Sequence, residues 1–272
     1  MSRSWWLTGV KLLSDFQRIN IDGIPTFLFP DEYNLTFPYK HNLNLKGDFH
    51  NFSVPMLYHP QYEKAKKERA FENLEHYSFF KKIRETHDFV LFSHSRQNGE
   101  NLPENFKVHE KGNLLLIRGF AKFIKTTEQK CCLVLFEYGL NIQAAKDLIH
   151  QLNIEQHIIW APKMKRKEIM FGLINSDVSC GQFINSWLTC GVVNETLAAA
   201  VPLLHYRNDN LYQDEYEELY PLLNANTEDQ IVLQLQFAIN NPEKIKADTK
   251  NGLEWIVQYN VKKAMDVIKS SI

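Results

Sequence analysis

The chain has 272 residues, 44% of them hydrophobic, enough to bury a sizeable core as one large domain or two modest ones. Its 31 Lys and Arg nearly balance 32 Asp and Glu, for a formal net charge of −1. That balance argues against bulk nucleic-acid binding, which needs a strong positive field to displace phosphate counterions, and leaves room for a small basic pocket.

The N-terminal stretch MSRSWWLTGVKLLSDF spaces Trp6, Val10 and Leu13 as one helical face, with Trp5 and Leu12 beside them. Lys11 and Asp15 interrupt it and no small-residue cleavage site follows, so it is a poor signal peptide. Packing against the protein's own core is expected in preference to an interfacial membrane helix, the arrangement paired tryptophans also suit. No run of about eighteen apolar residues occurs, so no transmembrane segment is expected. Residues 1–84 are rich in aromatics and prolines (FLFPDEYNLTFPYK, FSVPMLYHPQY) without regular alternation, and read as an irregular N-terminal region. Within them KAKKERAFENLEHYSFFKKI reads as one charged helix turning Ala70, Leu74 and Tyr77 inwards.

From about residue 85 strand-like and helix-like segments alternate. DFVLFSHS is a β run, and KGNLLLIRGFAKFIK places Leu116, Phe120, Phe123 and Ile124 on one helical face. CCLVLFEYG is a continuous apolar strand ended by Gly139, the pattern of a strand covered on both faces. IQAAKDLIHQL (helix), HIIWAP (strand), KRKEIMFGLINS (helix), DVSCGQF (strand), VVNETLAAA (helix) and VPLLHY (strand) follow. Five β runs with a helix between each pair specify an α/β fold, a doubly wound Rossmann-like parallel sheet over residues 85–272. Asp209, Asp214, Glu215, Glu217 and Glu218 then form an acidic stretch read as a solvated helix or loop. EDQIVLQLQFAI, with Ile231, Leu235 and Ile239 in step, and GLEWIVQYNVKKAMDVIKS close the chain as helices. Cys131, Cys132, Cys180 and Cys190 make no CxxC pair and read as buried thiols of a reducing compartment, which points to the cytoplasm.

In such sheets a ligand sits beyond the strand C-termini where strand order reverses, normally between the loops after the first and fourth strands. Both loops are long here, against about 2–6 residues ordinarily. The first, SRQNGENLPENFKVHEKGN, begins at Arg96 and ends with Lys111-Gly112 at a helix start, where free N–H groups favour an anion. The second, QFINSWLTCGVVNE, contains Gln182 and delivers Gly191 and Glu195 to the next helix. Cations and backbone donors suit phosphate, and a carboxylate in this position commonly accepts from ribose hydroxyls. A nucleotide carrying a diphosphate fits both. The GxGxxG and GxxxxGK[ST] fingerprints are absent, which counts against nicotinamide-cofactor and ATPase readings.

Against each of these stands a plainer role. Glu195 could be a solvated helix residue, Lys111 a surface lysine and Gln182 a strand-end amide. Arg96 could pair with Glu100 or Glu104. His94 and His205, near strand ends, are structural by default. Glu137 is a lesser candidate for the same crevice.

The ordered series FVLFSHSRQ, KGNLLLIRGFAKF, LVLFEYG, LNIEQHIIWAP, SDVSCGQF and GVVNETLAAAVPLL resembles the donor-binding C-terminal half of family 4 (group 1) glycosyltransferases, which have the GT-B fold. The resemblance covers roughly residues 88–272. It implies that Arg96 and Lys111 contact the donor diphosphate and that Glu195, followed by Pro202 at the expected distance, binds the ribose. Gly112, Gly191 and Gln182 fall in the same binding loops.

The sequence also departs from the family. Eight positions before Glu195, where the motif has its first glutamate, stands Trp187; the glycine before the proline is Ala200; and the motif's internal glycine comes one place late, at Gly191. Gln182-Phe183 resembles a QF variant of that loop, with Gly181 in place of its aspartate. Residues 1–84 are too few for the acceptor-side domain of such an enzyme.

The resemblance therefore implies transfer of a sugar from a nucleotide-diphosphate sugar to a hydroxyl acceptor (glycan, lipid or protein). Such a reaction needs no metal or other cofactor, and the chain acts either alone or with an N-terminal-half partner. The alternatives are a non-catalytic donor-half module and a GT-B-type epimerase.

Overall fold

The computed structural model of the chain describes residues 26–29, 48–51 and 63–262, apart from 65, 66, 101, 103–106, 108 and 215, together with 266 and 269. The expected N-terminal helix and most of the aromatic region lie outside these residues. Two short strands, β1 (Thr26–Phe29) and β2 (Asp48–Asn51), pair in parallel with Thr26 opposite Asp48. They belong to one compact unit, Met1–Pro55 with Gln258–Ile272; the other unit, Met56–Val257, contains a six-stranded sheet.

That sheet comprises β3 (Phe89–Ser93), β4 (Cys131–Phe136), β5 (Ile158–Ala161), β6 (Val178–Cys180), β7 (Leu203–His205) and β8 (Leu223–Asn224). All pairings are parallel, in the order β5-β4-β3-β6-β7-β8. Every residue of β3 and β4 is buried, as continuous apolar runs require when helices cover both faces. Counted from β3, the order is 3-2-1-4-5-6, the doubly wound arrangement whose direction reverses between the first and fourth strands. The reversal therefore falls between β3 and β6. The five expected strands are present, and a sixth, β8, follows the acidic stretch where the sequence suggests no element. Two residues after Pro221 are too short a run for a period-2 pattern to register.

Seven helices pack around this sheet among the described residues. They are α1 (Tyr77–Thr86), α2 (Asn113–Phe123), α3 (Ile142–Gln151), α4 (Arg166–Ile174), α5 (Gly191–Ala198), α6 (Glu228–Asn240) and α7 (Pro242–Ile256). Of the expected stripe, Leu116, Phe120 and Phe123 of α2 are fully buried and meet Ile231 and Leu235 of α6 in one core, while Ile124, just past the helix, is half-buried. Thr227 caps α6, its hydroxyl accepting from the Gln230 N–H at 3.2 Å. The last helix starts at Pro242, well before Gly252, because a proline at the first helical position lacks only an N–H that would have no helical partner.

The single charged helix expected before the sheet is broken. Arg69 adopts φ 54°, Ala70–Asn73 form a 3₁₀ turn, Leu74 is extended, and regular helix resumes at Tyr77. The buried residues are Phe71, Phe80 and Ile83 rather than Ala70, Leu74 and Tyr77. The break lets Phe71 and Tyr77 both reach Phe171 of α4, with ring centroids 5.5 and 5.0 Å away. Buried Glu168 of α4 fastens the restart, accepting the His76 N–H at 3.3 Å with the His76 ring nitrogen 2.8 Å away.

Helix α5 ends in a Schellman turn. The Ala200 N–H donates to Leu197 O (3.0 Å) and the Val201 N–H to Thr196 O (3.2 Å). Ala200 must then adopt φ 53°, at the position where the resembled motif has glycine. A left-handed alanine costs about 1–2 kcal/mol, partly offset in glycine by its greater freedom when unfolded. Ala200→Gly is accordingly expected to stabilise the chain by roughly 1 kcal/mol, read as a raised urea midpoint.

Candidate nucleotide-diphosphate site at the strand-order reversal

Of the six binding residues expected from the sequence, Arg96, Lys111, Gly112 and Gln182 lie on the two connections that flank the reversal, and Gly191 and Glu195 lie on the helix α5 into which the second leads. On the β3–α2 connection, Lys111 and Gly112 come directly before helix α2. Gly112 has φ 71°, and a Cβ there would stand 2.9 Å from Phe183 Cβ, so only glycine lets this turn pass under the facing loop. The Phe183 N–H donates to Lys111 O at 2.9 Å, and Lys111 Nζ donates to Gln182 Oε1 at 3.0 Å. The two loops are thus joined by backbone and by side chain across the seam between β3 and β6.

The rest of the β3–α2 connection is tied down at several points. Lys111 N–H donates to Asn98 O (2.7 Å), and the buried Asn113 side chain accepts from the Asn98 N–H (3.1 Å) while donating to Ser95 Oγ (3.2 Å). Glu100 is bonded to Arg118 (2.7 Å), so this acid serves α2 rather than Arg96; Glu104 lies outside the described residues. Arg96 itself is exposed. Tyr138, in the turn after β4, relates it to Glu195. Burial foremost raises the phenol's pKa, Arg96 lowers it and Glu195 raises it, so both charges act on one group.

On the other side of the seam, Gln182 Nε2 donates to Cys190 Sγ at 3.3 Å, at the residue preceding α5. Burial holds the Cys190 thiol above its usual pKa, opposed by the N–H groups of Val193 and Val192, the Gln182 amide and the Lys111 ammonium. Those opposing groups converge at the start of α5, where an anion would find the same donors and the same cation. Gly191 is exposed, and a Cβ there would meet nothing within 4 Å, so the approach to these N–H groups is open.

Glu195 is 4% exposed and therefore does not lie on a solvated helix face. Its Oε2 lies 2.9 Å from His94 Nε2 at the end of β3, and its Oε1 2.9 Å from Arg166 Nε at the first residue of α4. The acid thus draws together one group from each of two other connections at the sheet's C-terminal rim. Sequence reasoning reaches neither partner: a lone histidine near a strand end is structural by default, and Arg166 sits in the run KMKRK with nothing to distinguish it from its neighbours.

Two lesser candidates lie elsewhere. Glu137 is exposed and paired with Lys146. His205 faces the β6–α5 loop, accepting the Gln182 N–H at Nδ1 (2.9 Å) and engaging Trp187 O through Nε2 (2.8 Å). Burial pushes its pKa down to about 4, helped by the Arg207 and Lys111 charges and opposed by its bond to Trp187. It is a neutral strut that shapes the loop. The four cysteines are free; burial lifts Cys131 to about 11 and Cys132 to about 12. Among the described residues no helix is long and apolar enough to cross a membrane.

No protein-family model matches the chain, and no curated protein matches it in sequence. Solved structures do. Staphylococcus aureus TarM, in a complex with UDP, superposes with a TM-score of 0.51 at 13% identity over 67% of this chain and 35% of its own. Anabaena HepE in complex with UDP gives 0.57 at 11% identity over 98% of this chain and 68% of that one. A glycosyltransferase from Rickettsia africae gives 0.57 at 11% identity over 99% and 82%. The chain thus spans about a third of TarM and about two thirds of HepE. These likenesses show the fold: a Rossmann-like α/β architecture shared with glycosyltransferases.

Proposed function

We propose that the chain binds a nucleoside-diphosphate sugar at the β3/β6 seam and transfers its sugar to a hydroxyl acceptor, as a family 4-type glycosyltransferase or the donor half of one. The observation that carries this is the convergence at the seam of Lys111 from the β3 side with Gln182, the start of α5 and buried Glu195 from the β6 side. In this reading the diphosphate lies against Lys111, Arg96 and the α5 N–H groups near Gly191. The ribose hydroxyls meet Glu195. That HepE and TarM were solved with UDP favours a uridine donor.

Chemically, the glycosidic bond breaks with its electrons on the departing diphosphate. Fixed cations and helix-terminal donors stabilise that charge, and losing one such donor typically costs about 10²–10³ in rate. Arg96 and Lys111 supply charge that metal ions supply in other transferases, so no metal is required on this reading.

Titration with UDP, GDP and their sugars tests it. Lys111→Ala and Glu195→Ala are each expected to weaken binding roughly 10- to 100-fold, the value of a hydrogen bond to a charged group. Unchanged affinity in both variants, or no binding by the wild type, would overturn the reading.

A second reading, a nucleotide-binding module without transferase activity, is favoured by Trp187. Where the resembled motif carries a carboxylate near the transferred sugar, an indole stands 6.0 Å beneath the Lys111 ammonium. Turnover of a bound nucleotide sugar, measured with and without a candidate acceptor-side chain, separates the two.

A further inference from the structure

We infer that His94 is a positioning residue for Glu195, holding the carboxylate from its buried side in the orientation that ribose recognition needs. The inference rests on the reading of Glu195 proposed above and extends it to a residue that reading does not use.

The two histidines at strand ends are built differently. His205 engages backbone groups of one loop through both ring nitrogens, which is how a structural histidine is satisfied. His94 makes one hydrogen bond, from Nε2 to Glu195 Oε2 at 2.9 Å, and its Nδ1 is buried without a protein partner. A buried ring that leaves one nitrogen unpaired gives up a hydrogen bond that a phenylalanine would never have needed. What it provides in return is the contact with the acid. Because the carboxylate only accepts, Nε2 carries the proton, and this fixes the tautomer.

The position strengthens the argument. His94 is buried directly after β3, two residues before Arg96, and Glu195 lies on α5 beyond β6. Their bond spans the seam where strand order reverses. Side-chain exposure of the pair is 3% and 6%, so the carboxylate is a buried charge and needs partners wherever it points. Arg166 is the other partner, and its side chain is 57% exposed. An exposed arginine can swing aside for an arriving hydroxyl; the enclosed imidazole cannot. His94 therefore sets the carboxylate's orientation, and Arg166 holds the oxygen that a ligand takes over.

The test is discrimination of ribose hydroxyls rather than affinity alone. Calorimetric titration compares UDP with 2′,3′-dideoxy-UDP for wild type, His94→Phe, His94→Gln and His94→Asn. Wild type is expected to prefer UDP by roughly tenfold or more, the value of one hydrogen bond to a charged group. His94→Phe should lose most of that preference while binding the dideoxy analogue as before. His94→Gln, whose amide reaches the Nε2 position, should regain it, and His94→Asn, whose amide falls short, should not; this pair decides the matter should His94→Phe not fold.

Full preference in His94→Phe overturns the inference, as does an equal loss for both ligands, which would mark a purely structural ring. A wild type that binds both ligands alike removes the ribose role of Glu195 while leaving the diphosphate site standing. A wild type that binds neither removes the nucleotide reading and this inference with it.

Discussion

Gly139→Ala is expected to destabilise the Met56–Val257 unit by roughly 3 kcal/mol or more, and to abolish the proposed nucleotide binding with it. Gly139 follows β4 with φ 135°, a region that residues with a Cβ rarely adopt. An added Cβ would stand 2.4 Å from Gln97 O, 2.5 Å from its N and 2.6 Å from its C. All three are backbone atoms, so no side-chain rotation relieves the clash. Nor can Gln97 withdraw, because its N–H donates to Tyr138 O (2.7 Å) and its carbonyl accepts from the Asn141 N–H (2.8 Å). The turn after β4 thus clasps the connection that carries Arg96 and Lys111. Urea denaturation reads the effect, with Gly191→Ala as comparison. That site has open space and lies at a helix start, so its change should stay within about 1 kcal/mol on the stabilising side. Equal stability of the two variants would show that the close approach at Gln97 does not matter.

His205 is expected to make the protein sensitive to acid. Its folded pKa is about 4 against 6.5 for the free side chain. Between those values the unfolded chain takes up a proton that the native state refuses, so stability falls as pH falls through this window. Above pH 6.5 both states are neutral and the term vanishes. The depression corresponds to about 3 kcal/mol, most of it lost before pH 4 is reached. His205→Phe removes this contribution. Its stability should be lower at neutral pH, since the Gln182 N–H and Trp187 carbonyl lose their partner, yet change less on acidification. Urea melts from about pH 7.5 down to about pH 4.5 compare the two slopes, in which titration of the remaining carboxylates largely cancels. Parallel slopes would mean that His205 titrates normally and does not strut the loop.

The sheet was legible in the sequence because its central strands are unbroken apolar runs and its helices carry clean stripes. Leu116, Phe120 and Phe123 needed only spacing to be placed in the core. What failed was whatever depends on contacts remote in sequence. The break before α1 comes from Phe171 and Glu168, about a hundred residues on, and β8 exists because β7 offers it an edge. The site shows the same division. Gln182 and Lys111 could be placed on facing loops by counting strands, and the structure joins them. Glu195 announced itself as an acid in an apolar helix. Its partners did not, since a histidine after a strand and an arginine among lysines look ordinary until folding sets them against one carboxylate.

At the seam between β3 and β6 the sheet's backbone ladder thins, and it stays as thin from there out to β8. Leu91 with Val178 and Phe92 with Ser179 are the seam's two residue pairs, whereas five join β3 to β4. Side chains reaching across, Lys111 to Gln182 and His94 to Glu195, supplement what the ladder lacks. A molecule lodged there would act as one more rung. By linkage, the free energy by which such a guest strengthened the cohesion of the two wings would equal that by which their cohesion strengthened its grip.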